Sequence, residues 1–421
     1  MISDFFCPRL GGVENHILNL SKELRKMGHT IIVITHSGSG RKGVQYVDGF
    51  KVYYLEMFSM FSGSVFPTIL CTAAPIVQIL LYESVDVVHG HQCSTLAIEG
   101  VLHSRILGIP TCFTNHSLVK TESLGGIITE STFQLGVRDS DKIICVSGAT
   151  KDNTADRLGI HGESIAVIPN AVTEDFKPIP LEEGTRKNEI VISVVTRLTA
   201  RKGARLLADA LPRICRIDPR IRIVIAGDGE KRELLEQTVD RHKLKDKVSF
   251  LGGVNPSEVK NVLNRSNLFL NTSLTEAFCI SIIEAAACGL YVVSTDVDGI
   301  SEVLPKDMIT LVPPTVDGIL AGIRASIPKI EPHDREVSHR RVHSMYKWSL
   351  VAKRTNEIYC SIAREQTAPL VSRINHSIRR IYSAEKGRFC IVFLLLLLAN
   401  YAVILLLALS HANRKRKHKA P

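Results

Sequence analysis

Two cations and two glutamates, in two short segments, define the chemistry this sequence could perform. In TRLTARKG (196–203), Arg197 and Lys202 lie five residues apart in a loop expected after a strand. Both can converge on one diphosphate, the guanidinium as a bidentate fork and the ammonium as a mobile point charge. In NTSLTEAFCISIIEAAACG (271–289), Thr275 is placed to cap a helix starting near Glu276 and stopping at Gly289. Glu276 and Glu284 would then stand about 12 Å apart at ~1.5 Å per residue, beyond the ~5–9.5 Å of paired glycosidase carboxylates. They suit separate tasks. Glu284 can accept hydrogen bonds from a ribose diol, while Glu276 and the N–H groups of Ala277 and Phe278 hold the group attached to a nucleotide's phosphates.

Weaker candidates surround these. Gly11 and Gly12 open a helix where backbone N–H groups can approach a phosphate. Gly227 belongs to IAGDGEKR (225–232), primarily a strand-to-helix turn with ligand proximity second. His89, His91 and His116 end two strands, and His116 is the choice among them for a polar contact with substrate. A solvated basic loop and an acid near a helix start are the plainer alternatives for Arg197, Lys202 and Glu276. No D-x-D or similar carboxylate cluster and no Cys/His set at zinc spacing stands out, so no essential metal is expected.

The elements that must position these residues alternate. After the short apolar strand MISDFF come a helix over Val13–Met27 and a strand over Thr30–His36, a βαβ unit. Further strands are predicted at Val85–His89, Thr111–Thr114, Ile143–Val146 and Ala166–Ile168. A linker follows within FKPIPLEEGTRKN, rich in charge and turn formers. The pattern then restarts with a strand over Glu189–Thr196, a helix over Ala204–Cys215, and strands at Ile221–Ala226, Val248–Leu251, Leu268–Asn271, Tyr291–Thr295 and Thr310–Val312. Alternation of this kind predicts two α/β domains with parallel sheets. Ligands of such sheets lie outside the strands' carboxyl ends, so two facing domains would enclose a cleft.

The chain has 421 residues, 45% apolar and 22% charged, which excludes a mainly disordered or collagen-like polymer. Half of the net charge of +10 lies in the last eleven residues, HANRKRKHKAP. That is a membrane flank rather than a nucleic-acid groove. Residues 389–410 form 22 uncharged residues, long enough to span a bilayer once. Five basic residues on each side leave orientation undecided by charge. The start lacks a signal-peptide pattern, favouring a cytosolic catalytic part, whereas the lysines near the end resemble a dilysine retrieval signal, which needs a cytosolic tail. Val65–Tyr82, broken by Pro67 and Pro75, suits an amphipathic helix of the soluble part that could lie on the membrane surface, rather than a second span. The ten scattered cysteines suggest a reducing compartment.

PRLGGVE, IPNAV with Asn170, TRLTARKG, AGDG and the Glu276/Glu284 spacing, in that order, resemble the retaining glycosyltransferases of family four. The resemblance implies a GT-B fold, two facing Rossmann-like domains, here with one C-terminal transmembrane helix. It implies an acceptor-side domain over 1–176, a linker over 177–188 and a nucleotide-sugar domain over 189–345. Lys347–Tyr359 resembles the family's closing helix, within a juxtamembrane segment over 346–388, and the basic tail is 411–421. ISDFFCPRLGGVENH, FTNHSL and FLNTSLTEAFCISIIEAAACGLYVVST resemble more closely the subunit family that starts glycosylphosphatidylinositol (GPI) anchors. This implies transfer of GlcNAc from UDP-GlcNAc to phosphatidylinositol, without an essential metal, by a multisubunit complex of the endoplasmic reticulum membrane. Arg197 and Lys202 would stabilise the leaving diphosphate, Glu284 bind the ribose, Glu276 the donor sugar, Gly12 the phosphates and His116 the sugar or acceptor. Asn115 stands where that family is expected to carry Asp, and Thr121–Glu130 diverges. A family-four enzyme with another sugar or lipid acceptor and a catalytically silent membrane scaffold remain alternatives. A hydride-transfer enzyme is disfavoured, because no G-x-G-x-x-G follows the first strand.

Overall fold

The structure is a computed structural model that describes every residue except 10, 39, 58–70, 119–132, 135, 139, 180–188, 366–368, 376–389 and 420–421. The expectations for 65–70, the linker beyond residue 179, Thr121–Glu130 and four of the basic residues before the span (Arg379, Arg380, Lys386 and Arg388) therefore lie outside the described residues. Two compact units emerge: Met1–Ile168 with Ala352–Pro421, and Pro169–Val351.

The first unit is built from α1 (Gly12–Lys26), β1 (Ile32–His36), β2 (Gly43–Val47), β3 (Phe50–Leu55), α2 (Ala73–Tyr82), β4 (Val88–His91), α3 (Thr95–Leu107), β5 (Thr111–Asn115), β6 (Lys142–Cys145), α4 (Gly148–Leu158) and β7 (Ile165–Val167). On α1, Ile17, Leu20 and Leu24 form the buried stripe that the helical spacing predicts. Strands β4-β5-β6-β7 run parallel, and β1-β3-β2 form a second ribbon. Ile2 bridges the two, pairing with Ile34 on one side and Gly90 on the other. The strand expected across MISDFF thus shrinks to one bridging residue. Beyond it, Ser3 Oγ accepts from Phe5 N–H (3.0 Å), and Asp4 accepts from Leu96 N–H (2.7 Å) at the start of α3. Side chain–backbone bonds of this kind compete with a sheet ladder.

The antiparallel hairpin β2–β3 was not foreseen. Its turn is Asp48–Gly49, both at positive φ (50° and 79°), the two-residue geometry that a D-G pair between alternating strands favours.

The second unit holds β8 (Ile190–Val195), α5 (Ala204–Ile214), β9 (Ile221–Ala226), α6 (Arg232–Arg241), β10 (Val248–Gly252), α7 (Pro256–Asn264), β11 (Leu268–Asn271), α8 (Ile280–Ala287), β12 (Tyr291–Thr295), β13 (Ile309–Val312), α9 (Val316–Ile330) and α10 (Arg335–Met345). Its six strands are all parallel, in the order β10-β9-β8-β11-β12-β13. This is the doubly wound Rossmann order, and its reversal lies between β8 and β11. Residues 169–179 belong to this unit rather than to the first. Val172 pairs with Lys347, Lys260 holds Asp175 (2.9 Å), and Ile179 N–H donates to Asn264 (2.9 Å).

Helix α11 (Trp348–Arg364) carries the chain across the division between the units, and α12 (Cys390–Lys419) follows. Within α12, Leu395–Arg414 is long and apolar enough to cross a membrane. It packs on α2 and α3 of the first unit.

Candidate active site

The loops that follow β8 and β11 meet at the strand-order reversal, where an open α/β sheet binds its ligands. The first loop carries Arg197 and Lys202, the second Glu276. Lys202 Nζ forms an ion pair with Glu276 Oε1, and Ser273 Oγ lies 3.0 Å from the same oxygen. Backbone contacts hold the loops together: Leu274 N–H donates to Arg201 O (2.9 Å), and Thr272 Oγ1 donates to Lys202 O (3.2 Å). At Gly203 (φ +69°) a Cβ would stand 1.8 Å from Thr272 O, so only glycine permits this approach. Arg197 projects its side chain from the same loop and is exposed.

The second segment departs from the sequence expectation. The helix begins at Ile280, with Cys279 as its N-cap residue, not near Glu276, and Thr275 does not cap it. Tertiary bonds have replaced the helical ones. Glu276 N–H donates to Asp298 (3.2 Å), and Glu276 O accepts from Gly299 N–H (3.1 Å). Glu276 is therefore a loop residue, so the 12 Å helical separation from Glu284 does not apply. The N–H groups of Ala277 and Phe278 make no hydrogen bond among the described residues, although both residues are buried. The Phe278 ring packs edge-on against Tyr346 (5.5 Å) and belongs to the core. Cys279 sits at φ 28°, a strained conformation for a residue with a Cβ.

Glu284 lies on α8, half-buried, with no hydrogen bond or ion pair to its carboxylate among the described residues. Burial, with the charge of Asp175 adding, pushes it up to about 7. Gly227 (φ +148°) lets the turn after β9 pass within 1.8 Å of Thr196 O, measured from the Cβ it lacks. Its packing role is thus direct.

In the first unit, Gly11 is the extended N-cap residue of α1 (φ −177°) and Gly12 the first helical residue. A Cβ on Gly11 would meet Glu14 Oε2 at 2.5 Å, so that glycine makes room for a carboxylate of its own helix. His89 is fully engaged: Nδ1 lies 2.6 Å from Tyr359 Oη and Nε2 2.7 Å from Thr114 Oγ1. His91 Nδ1 is 3.3 Å from His116 Nε2, and the His16 ring stands edge-on to His116 at 4.5 Å. Burial lowers the pKa of His89, His91 and His116, which keeps them neutral. His16, His91 and His116 each offer one nitrogen within 4.8 Å of the others, the ligand chemistry of a metal site. The sequence reading missed His16, whose only signal is its place one turn into α1.

Residues 10–176 match the model of Glycosyltransferase Family 4, and residues 175–327 that of Glycosyl transferases group 1. Sucrose-phosphate synthase of Thermosynechococcus elongatus shares the fold at a TM-score of 0.69 and 19% identity, over 84% of this chain and 94% of its own. Fold and site together define a glycosyltransferase of the GT-B class. A phosphatidylinositol N-acetylglucosaminyltransferase subunit of Arabidopsis thaliana is 42% identical, over 94% of this chain and 88% of its own. The gpi3 subunit of the Schizosaccharomyces pombe enzyme of that name is 38% identical, over 97% and 89%. This chain belongs to the GPI3-type subunit family of phosphatidylinositol N-acetylglucosaminyltransferase.

Proposed function

We propose that this chain transfers GlcNAc from UDP-GlcNAc to phosphatidylinositol with retention of anomeric configuration, the first step of GPI-anchor synthesis. One observation carries the site: Lys202, Arg197 and Glu276 stand on the two loops at the strand-order reversal. Glu284, eight residues after Glu276 and on α8, offers a half-buried carboxylate that makes no hydrogen bond or ion pair among the described residues.

In the transfer, the bond from the anomeric carbon to the diphosphate oxygen breaks and one from the inositol oxygen forms. The departing phosphate oxygen takes the inositol proton, so no strong side-chain base is required. Negative charge builds on the leaving UDP, and Lys202 and Arg197 neutralise it. The N–H groups of Ala277 and Phe278, just before α8, add donors to the same charge. Glu284 accepts from the ribose hydroxyls and Glu276 positions the donor sugar. Gly227 keeps the turn beside this loop close-packed. In the first unit, Gly12 offers its N–H to phosphate oxygens, and Gly11 gives the helix start its room. His116, neutral, serves as a hydrogen-bonding group to sugar or acceptor rather than as a cation. Two cations in the donor loop are expected to suffice without an essential metal.

The relatives are named as subunits of their enzyme, which supports work within a multisubunit complex. The candidate span supports a membrane protein, and we place it in the endoplasmic reticulum with its catalytic part facing the cytosol. The test uses membranes holding the intact complex, UDP-GlcNAc and phosphatidylinositol. GlcNAc-phosphatidylinositol should form, and Lys202→Ala should lower its rate of formation by ~10²–10³. Product from GDP-mannose instead would move the assignment to another sugar, and full activity in both Lys202→Ala and Glu284→Ala would discard the site.

A further inference from the structure

The apolar C-terminal helix is built into the first unit. Leu397, Tyr401 and Ile404 of α12 are buried in one cluster with Ala73 and Val77 of α2 and Leu102 and Ile106 of α3. Their spacing makes a single stripe along the helix. Around the rest of α12, Leu395, Leu398, Val403, Leu406 and Leu409 are exposed. A core helix of a water-soluble protein would not leave so much apolar surface open. A span joined only by a tether would have no buried stripe on this unit.

A line of polar contacts crosses the seam. Asn400 Nδ2 donates to His103 Nδ1 at 3.2 Å. With that nitrogen an acceptor, His103 Nε2 carries the proton and donates to Thr72 Oγ1 at 2.8 Å. The Thr72 hydroxyl in turn donates to the Glu99 carboxylate. Asn400 and His103 are both 0% exposed. An amide midway along a span is costly in hydrocarbon unless a partner meets it there, and here His103 on α3 accepts from Nδ2 while Oδ1 has no partner among the described residues. The segment before the span adds a second tie, because Arg373 donates to the carbonyls of Arg105 (2.5 Å) and Ile106 (2.9 Å) near the end of α3.

Helix α2 supplies the independent observation. Its outward residues Ala74, Pro75, Gln78 and Tyr82 carry no charge. Charge resumes at Glu83, which holds Lys51 at 2.5 Å. An uncharged helix face beside an apolar span, ending in an exposed tyrosine and then an ion pair, fits hydrocarbon giving way to the interface.

We propose that α2, α3 and α12 form one membrane-embedded body fastened by the His103–Asn400 contact. Phospholipid acyl chains cover the uncharged face of α2 and the outward side of α12. The first unit then sits in the leaflet, at the depth of a lipid headgroup, rather than above it. This holds whether or not the chain transfers GlcNAc, so it can fail while the transferase reading stands, and the reverse.

The experiment uses the full chain in membranes, with the exposed Cys71 and Cys360 changed to Ser and a protease site inserted between residues 376 and 389. His103→Cys with Asn400→Cys, treated with a short bis-maleimide that alkylates both thiols and then cleaved, should leave the two fragments joined on a denaturing gel. Either single-cysteine variant should release them, as should His103→Cys with Leu398→Cys, because Leu398 faces away (42% exposed). Equal joining through positions 398 and 400, or none through 400, overturns the seam. A second measurement leaves the seam untouched. A fluorophore on Gln78→Cys should be quenched by nitroxide-labelled acyl chains several-fold more than one on Tyr46→Cys of β2. No quenching at position 78 overturns the seating in the leaflet.

Discussion

Lys202 and Glu276 are unequal partners, the lysine 26% and the carboxylate 10% exposed at the side chain. Removing the ammonium leaves a largely buried carboxylate with Ser273 beside it, a loss of about 1–3 kcal/mol of stability. Lys202→Ala should therefore lower kcat by ~10²–10³, the usual result of deleting one donor aimed at developing charge, and also depress Tm. Product formation and thermal unfolding check the two effects separately. Glu284 gives a pH signature. Its ordinary value of 4.5 is raised to about 7, so the fold prefers the neutral acid. That preference is fully expressed below pH 4.5, fades as pH rises, and above pH 7 leaves a deficit of up to about 3 kcal/mol. Glu284→Gln should accordingly raise apo stability at pH 8 and leave it unchanged at pH 4.5, read by denaturant titration. A ribose diol needs the carboxylate, so calorimetric UDP affinity should climb from pH 6 to pH 8 in the natural chain and stay flat in Glu284→Gln. Lys202, Glu276 and Glu284 were legible as residue types near the ends of expected strands, whereas the helical spacing expected between the two glutamates was not kept. His16 was not, because its meeting with His91 and His116 depends on three elements coming together.

At the scale of elements, the second unit's strands fell within a residue or so of where apolar runs and turns predicted them. Fully buried parallel strands announce themselves as unbroken Val, Ile and Leu. The start of α8 did not, because residues 274–279 have acceptable helical composition and only the distant Asp298, Gly299 and Arg201 draw their backbone into a loop. The hairpin β2–β3 carried a local D-G signal that the alternating βα pattern overshadowed. Gly203 and Gly28 separate backbone strain from loop contact. Both have positive φ, +69° and +95°, but a Cβ on Gly28 meets nothing within 4 Å. Gly28→Ala should cost about 1 kcal/mol, the left-handed penalty alone. Gly203→Ala must also push Thr272 away, so it should cost more and lose UDP binding with it. Unfolding and nucleotide calorimetry on the two variants decide this, and equal behaviour would remove the loop contact from the site's architecture.

For the molecule as a whole, the 22-residue uncharged run betrayed a span, yet nothing in it showed that Asn400 has a partner at His103, roughly three hundred residues away. Such a pairing exists only once α2 and α3 present their surfaces. It changes what truncation does. A chain ending at Arg388 would lose Leu397, Tyr401 and Ile404 from the cluster they share with Ala73, Val77, Leu102 and Ile106. It would also leave His103 without Asn400, at the head of the contacts running to Thr72 and Glu99. The bared apolar surface adjoins the outward side of α2, uncharged and polar at Gln78, and an apolar patch of this kind drives association in water. The shortened chain should therefore still float with vesicles and require detergent to remain monodisperse. Flotation and size-exclusion chromatography test it against the full-length protein. A shortened chain that elutes as a monomer in plain buffer and ignores vesicles would mean that α12 alone brings this enzyme to the membrane, and that the surfaces of α2 and α3 are ordinary faces toward water.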